Sequence, residues 1–116
     1  MPLIVNANHL PSPQNEYVCW IDAMGVQSMM SRSLKITANF IFKIHIAAVT
    51  SANDHVKLYP VMDGLYASSS DKNSIIGFIK DVFRAIADEF IQQQHIYYRF
   101  LIKGALAFGP VIPDIA

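Results

Sequence analysis

Lys57-Leu58-Tyr59-Pro60-Val61-Met62-Asp63-Gly64-Leu65-Tyr66 holds two short apolar runs on either side of an Asp-Gly step. Asp-Gly between such runs is a strong hairpin signal, because glycine takes positive φ at no steric cost. Gly64 is expected to do so here. The pattern predicts one strand over Val56–Met62 and the next over Leu65–Ser68. Alternation puts Lys57, Tyr59, Val61 and Asp63 on one side and Leu58, Pro60 and Met62 on the other. Pro60 has no N–H to give to a ladder, so its strand belongs at a sheet edge or carries a bulge. Asp63 stands at the hairpin tip.

Upstream, Tyr17-Val18-Cys19-Trp20-Ile21-Asp22 is rich in β-formers and ends in a second acid, with Gly25 allowing the chain to turn. Residues 1–16, broken by Pro11 and Pro13, are predicted as a lead-in to one domain over residues 17–112. From Val26 to about Ser51 the period is helical, with a break near residues 32–34. Leu34, Ala38, Ile41, His45 and Ala48 are predicted to share its buried face. Downstream, Ser70 or Asp71 can cap a helix whose apolar stripe is Ile75, Ile79, Val82, Phe83, Ile86 and Phe90. Lys80, Arg84 and Asp88 fall on its other side. Tyr97–Phe108 is the last strand, expected to stop at Gly109-Pro110.

The order is β-α(α)-β-β-α-β. With right-handed crossovers this is an α+β, ferredoxin-like (split βαβ) antiparallel sheet with helices on one face. In that sheet the first and third strands are neighbours, so Asp22 and Asp63 meet although far apart in sequence. Two carboxylates brought together suit hard divalent cations.

These residues resemble the class III nucleotide cyclase catalytic domain. Its first strand carries an Asp before a turn and helix, as in Trp20-Ile21-Asp22-Ala23-Met24-Gly25. Its hairpin carries a second Asp, as in Val61-Met62-Asp63-Gly64-Leu65-Tyr66-Ala67. A later strand resembles Ile102-Lys103-Gly104-Ala105-Leu106-Ala107-Phe108-Gly109-Pro110-Val111. The resemblance covers about residues 17–112. It implies that Asp22 and Asp63 bind two Mg²⁺ or Mn²⁺ ions and are catalytic, and that the backbone of Ala23, Met24, Gly25 and Val26 cradles phosphates. It puts Lys57 at the base-selecting position, as in many adenylate cyclases. Tyr59, on the same face and nearer the acids, would narrow the pocket for a small base. With Lys103 where an Arg is usual, the pattern is most similar to the pyrimidine cyclases of bacterial Pycsar anti-phage systems. Those make cyclic UMP or cyclic CMP, which a separate effector protein reads. The resemblance thus implies a nucleoside triphosphate substrate (UTP or CTP), a homodimer and a nucleotide contact for Lys103. The alternatives are an adenylate cyclase, favoured by Lys57, and an interaction-only ferredoxin-like module. A diguanylate cyclase shares the element order, but its GGDEF-type hairpin is absent. The family also carries an Asn-x-x-x-Arg helix. Nothing after Pro110 supplies it, and Asn39 is followed by Lys43 in place of Arg. The expectation is the N-terminal, incomplete portion of a cyclase domain.

Composition bounds the rest. The chain has 116 residues, enough for one modest core. Nine basic and nine acidic residues cancel, with no basic tract, so neither a nucleic-acid footprint nor a polybasic membrane anchor is expected. The most apolar helical stretch is too short to span a bilayer. Cys19 is the single cysteine, which excludes an intrachain disulfide and points to a reducing, cytoplasmic setting. His45, His55 and His95 lack zinc-ligand spacing and are read as satisfied or exposed.

Overall fold

Alternating burial along Gln14–Ala23 marks this ten-residue strand, β1, as the middle of a sheet. The computed structural model describes residues 12–61, 63–96 and 99–112, apart from the side chains of residues 27 and 28. The lead-in up to Pro11, Met62, and Tyr97 with Tyr98 lie outside the described residues. The elements after β1 are α1 (Val26–Arg32), α2 (Leu34–Ser51), β2 (Lys57–Val61), β3 (Gly64–Ser69), α3 (Lys72–Gln92) and β4 (Ile102–Val111). The strands form one antiparallel sheet in the order β2-β3-β1-β4. The helices pack on one face, as the element order requires. β1 begins three residues earlier than its apolar run.

The ladder explains both strand prolines. The Met24 N–H donates to the Leu101 carbonyl at 2.8 Å, and this pair continues the β1–β4 register one step past Ala23–Ile102. Hydrogen-bonded pairs alternate along an antiparallel ladder. Odd-numbered residues of β4 therefore turn their N–H and C=O toward β1, and even-numbered ones turn them outward. Pro110 is even, so its missing donor costs the sheet nothing. For that reason β4 runs through Gly109-Pro110 to Val111 and does not stop there as expected. The same alternation carried across β1 and β3 turns the Pro60 nitrogen to the outer edge of β2. Pro60 thus sits at a sheet edge, as expected.

Between the sheet and the helices lies the core. Cys19, Ile21, Leu65 and Ala67 face Phe40 and Ile44 of α2 and Ile75, Phe78 and Val82 of α3. Phe40 also stacks on Phe100, centroids 4.5 Å apart. α3 buries Ile75, Phe78, Val82 and Ile86; Phe78 lies outside the predicted stripe, whereas Phe83, a member of it, stays 37% exposed. Each buried side chain of this size contributes about 1.5–3 kcal/mol. The half-exposed Lys43–Glu89 ion pair between α2 and α3 contributes about 1 kcal/mol at most. The apolar stripe, not the ion pair, docks α3.

The predicted face of α2 needs correction. Thr37, Phe40, Ile44, Ala47 and Ala48 are buried, while Leu34 is 69% exposed and Ala38 is exposed. Asn39–Val49 is apolar on nearly every side, so more than one helical series fits it. Packing against the sheet selects the series through Phe40 and Ile44. The break before α2 falls at Ser33, whose side chain accepts from the Ile36 N–H. Asp71 caps α3, accepting from the Ser74 N–H at 3.0 Å. Those Ser74 hydrogen bonds hold the Asp71 carboxyl below the usual range. The cap therefore helps above the ordinary carboxylate pKa and is lost as pH falls through the lowered one.

Cys19 is 1% exposed, and burial pushes its thiol pKa up. We expect the folded chain to resist alkylation by iodoacetamide at neutral pH, and the urea-unfolded chain to react fully. Mass spectrometry of the labelled protein checks this.

Candidate functional site

Asp22 is the penultimate residue of β1, and its register fixes its neighbours. It lies opposite Gly64 of β3 on one side and Lys103 of β4 on the other. Asp63 immediately precedes Gly64, so the β2–β3 turn brings the second acid to the end of β1. The two carboxylates are close enough for Asp63 to raise the pKa of Asp22.

Alternation assigns these residues to the face away from the helices. Ile21 and Ala23 point into the core, so Trp20, Asp22 and Lys103 do not. One row along lie Tyr59, Tyr66, Trp20 and Ala105, directly opposite one another across four strands. Lys57 pairs with Ser68 one row beyond Tyr59 on the same face. At about 3.4 Å per residue, the Tyr59 row stands ~7 Å from the Asp22 row and the Lys57 row ~14 Å. A groove of about 230 Å³ opens here, lined by Val18, Tyr59, Tyr66, Ser68 and Val111 among others.

Asp22 is strained electrostatically. Its Oδ1 is buried and has no hydrogen-bond partner, the single such side-chain atom among the described residues. Burial pushes its pKa up, the Lys103 ammonium pulls it down, and Asp63 pushes it up again. The Lys103 Nζ also lies 5.9 Å from the centre of the Trp20 ring, within cation–π range. A cation at this position would answer the unpartnered oxygen. Among the described residues no group of three His, Cys, Asp or Glu side chains comes together. The donor set is two carboxylates, which fits an oxygen-loving ion that takes further ligands from a phosphorylated substrate and water.

Two glycines shape this end of the sheet. Positive φ belongs to Gly25, at +74°, and not to Gly64 as expected. Gly25 turns the chain from β1 into α1. Gly64 is needed for space: a Cβ there would lie 2.4 Å from the Ile21 carbonyl oxygen and 2.8 Å from the Asp22 Cβ. Of the segment Ala23–Val26, the Met24 N–H is already committed to Leu101. Val26 opens α1, and first-turn N–H groups have no intrahelical acceptor.

The sheet thus brings Asp22, Asp63 and Lys103 together, with Tyr59 and Lys57 further along the same face. Three further residues at this end of the sheet carry no motif of their own. Tyr66 and Trp20 complete the aromatic row, and both follow from the register once the hairpin is fixed. His45 of α2 donates from Nε2 to the Gly64 carbonyl at 3.0 Å, tying the helix to the hairpin beside Asp63. Nothing local in the sequence signals that contact, which spans nineteen residues.

No protein-family model matches the chain, and no curated protein sequence does. Solved structures are similar. A bacterial light-regulated adenylyl cyclase superposes with a TM-score of 0.75 at 11% identity, over 88% of this chain and 57% of that one. A second structure of a bacterial light-regulated adenylyl cyclase gives 0.69 at 12%, over 93% and 34%. An EAL/GGDEF domain protein from M. capsulatus gives 0.61 at 13%, over 84% and 64%. At these identities the likeness is one of fold. The chain spans little more than half of the first cyclase chain and about a third of the second.

Proposed function

We propose that the chain carries the metal-binding half-site of a nucleotide cyclase, which converts a nucleoside triphosphate to a 3′,5′-cyclic mononucleotide and pyrophosphate. The observation that carries this is the unpartnered, buried Asp22 Oδ1 beside Asp63 and Lys103. The fold shared with two adenylyl cyclase structures supports it. In the reaction the ribose 3′-oxygen forms a bond to the α-phosphorus. The bond from that phosphorus to the β-phosphate bridging oxygen breaks, and the hydroxyl proton leaves to solvent. Asp22 and Asp63 would hold two divalent ions, which lower the hydroxyl pKa and offset charge on the phosphates. Lys103 would neutralise a phosphate oxygen as a point charge. The backbone from Gly25 into α1 would offer N–H donors to the same group.

The base is proposed to be a pyrimidine. Tyr59 and Tyr66 face each other across the hairpin on the site's side of the sheet, 37% and 44% exposed. Their rings can stack on a small base and leave little width for a purine. In this reading the chain acts as a second-messenger synthase, and the Pycsar-like pattern of its motifs supports an anti-phage role with a separate effector. Lys57, and the adenylyl cyclase folds it resembles, favour adenylate cyclase as the second reading. No helix among the described residues is long and apolar enough to cross a membrane.

The test is incubation with ATP, GTP, CTP and UTP in Mn²⁺, with products read by mass spectrometry and Asp63→Ala run alongside. A cyclic pyrimidine nucleotide, lost in the variant, is the expected result. Cyclic AMP would favour the second reading. Absence of every cyclic product, with intact metal binding, would mean a nucleotide-binding or interaction module.

A further inference from the structure

Asp63 stands one residue beyond the point where the sheet holds the hairpin. Even-numbered residues of β1 turn their N–H and C=O toward β4, by the alternation that the Met24–Leu101 bond fixes. Odd-numbered ones therefore face β3, and the last backbone bonds between β1 and β3 belong to Ile21 and Leu65. The next pair, Asp22 and Gly64, closes the register and exchanges none. The backbone groups of Gly64 face Val61 across the hairpin, so they fasten the turn only to β2, the outer strand on that side. The ladder alone thus leaves the turn end unattached to β1, while two like-charged carboxylates repel across the gap.

One side chain supplies an attachment. The His45 Nε2–H donates to the Gly64 carbonyl at 3.0 Å. A carbonyl can only accept, so Nε2 carries the proton, and its second lone pair lets Gly64 keep its place in the hairpin. Among the described residues no other hydrogen bond joins the turn end of the hairpin to a helix. The donor sits on a rigid element. Phe40, Ile44, Ala47 and Ala48 are buried and fix the seat of α2, and the half-buried His45 follows Ile44 at the margin of that face. We propose that His45 is a positioning residue for the acid pair: its bond to the Gly64 carbonyl holds Asp63 at the spacing from Asp22 at which a divalent cation can join them. The inference rests on the reading of Asp22 and Asp63 as cation ligands. His45 touches neither ion nor substrate; it acts through Gly64, the residue covalently joined to Asp63. With the turn fixed, an ion meets ligands already assembled. With the turn loose, the ion must draw them together as it binds, and affinity falls.

The test compares the wild type with His45→Gln, His45→Asn and His45→Leu by calorimetric titration with Mn²⁺, well below each melting temperature. There a merely structural loss leaves the affinity of the folded molecules unchanged. The carboxamide nitrogen of glutamine reaches about as far as Nε2 of histidine, whereas that of asparagine stops short. His45→Leu and His45→Asn are expected to bind Mn²⁺ about tenfold more weakly, the lower end of what losing an outer-shell partner costs. His45→Gln should recover most of that loss. In the metal-free chain the Val61 and Gly64 amides should exchange faster in the two weak variants, while those of Phe78 and Val82 in α3 keep their rates. Equal affinity in the wild type and His45→Leu, or His45→Gln as weak as His45→Asn, would overturn the inference and leave the cation site standing. A wild type that takes up no Mn²⁺ would overturn the reading beneath it, and the inference with it. Should His45→Leu fail to fold, His45→Gln and His45→Asn decide alone.

Discussion

Asp22→Asn is expected to abolish divalent-metal binding and at the same time to raise the melting temperature of the metal-free chain. Both effects follow from one atom. Oδ1 of Asp22 is buried without a partner, and burial together with Asp63 outweighs Lys103 in holding the carboxyl above its ordinary pKa. A raised carboxyl pKa means the folded state prefers the protonated form. Its favourable contribution is complete below the unfolded-state pKa and is lost as pH rises through the folded one. At neutral pH the wild type therefore carries a cost that a neutral amide of the same shape does not. The metal loses a direct ligand, so affinity should fall by more than the ~10–100-fold that removing an outer-shell partner costs. Calorimetric titration with Mn²⁺ and thermal melts at neutral and mildly acidic pH measure both effects. The gain in melting temperature should shrink in acid. A variant that melts below the wild type at neutral pH would refute the electrostatic part of this account.

Gly64→Ala carries the largest expected cost to the fold. The added Cβ would meet the Ile21 carbonyl at 2.4 Å and the Asp22 Cβ at 2.8 Å. One neighbour is ladder backbone and the other is anchored to it, so neither can swing aside. Overpacking of this kind costs about 1–3 kcal/mol, which for a domain near this size lowers the melting temperature by roughly 10 °C. It also pushes Asp22 from Asp63, so metal affinity should fall with stability. Gly77→Ala is the control. Gly77 lies inside α3 with nothing within 4 Å of its added Cβ. Alanine there should stabilise by up to about 1 kcal/mol, because it favours helix and restricts the unfolded chain. Urea denaturation of the two variants gives opposite shifts in midpoint if the packing is as described.

Local chemistry made much of the fold legible. Asp63-Gly64 announces a hairpin, the two amphipathic stretches announce helices, and right-handed crossovers leave one sheet order. That order alone places Asp22 beside the hairpin, and the register bears out the neighbourhood. The rest depended on contacts between distant segments. The buried face of α2 could not be chosen because its apolar residues nearly encircle the helix. Gly64 looked like a positive-φ glycine, whereas the demand on it comes from Ile21 and Asp22, more than forty positions upstream. Pro110 looked like a terminator because the hand of the β1–β4 ladder, which turns its nitrogen outward, is not written in the residues around it. His45 reads as one histidine among several until α2 is laid over the hairpin.

The central claim is that the end of β1 and the β2–β3 turn form one divalent-cation site. Titrating ¹⁵N-labelled chain with substoichiometric Mn²⁺ tests it most directly, because the ion broadens amide signals by distance alone. The account predicts that Ala23, Gly64 and Lys103 broaden first and together, and that Asp63→Ala removes the effect. Broadening that begins at the exposed acids of α3, Asp81 and Asp88, with Gly64 and Lys103 unchanged, would contradict it.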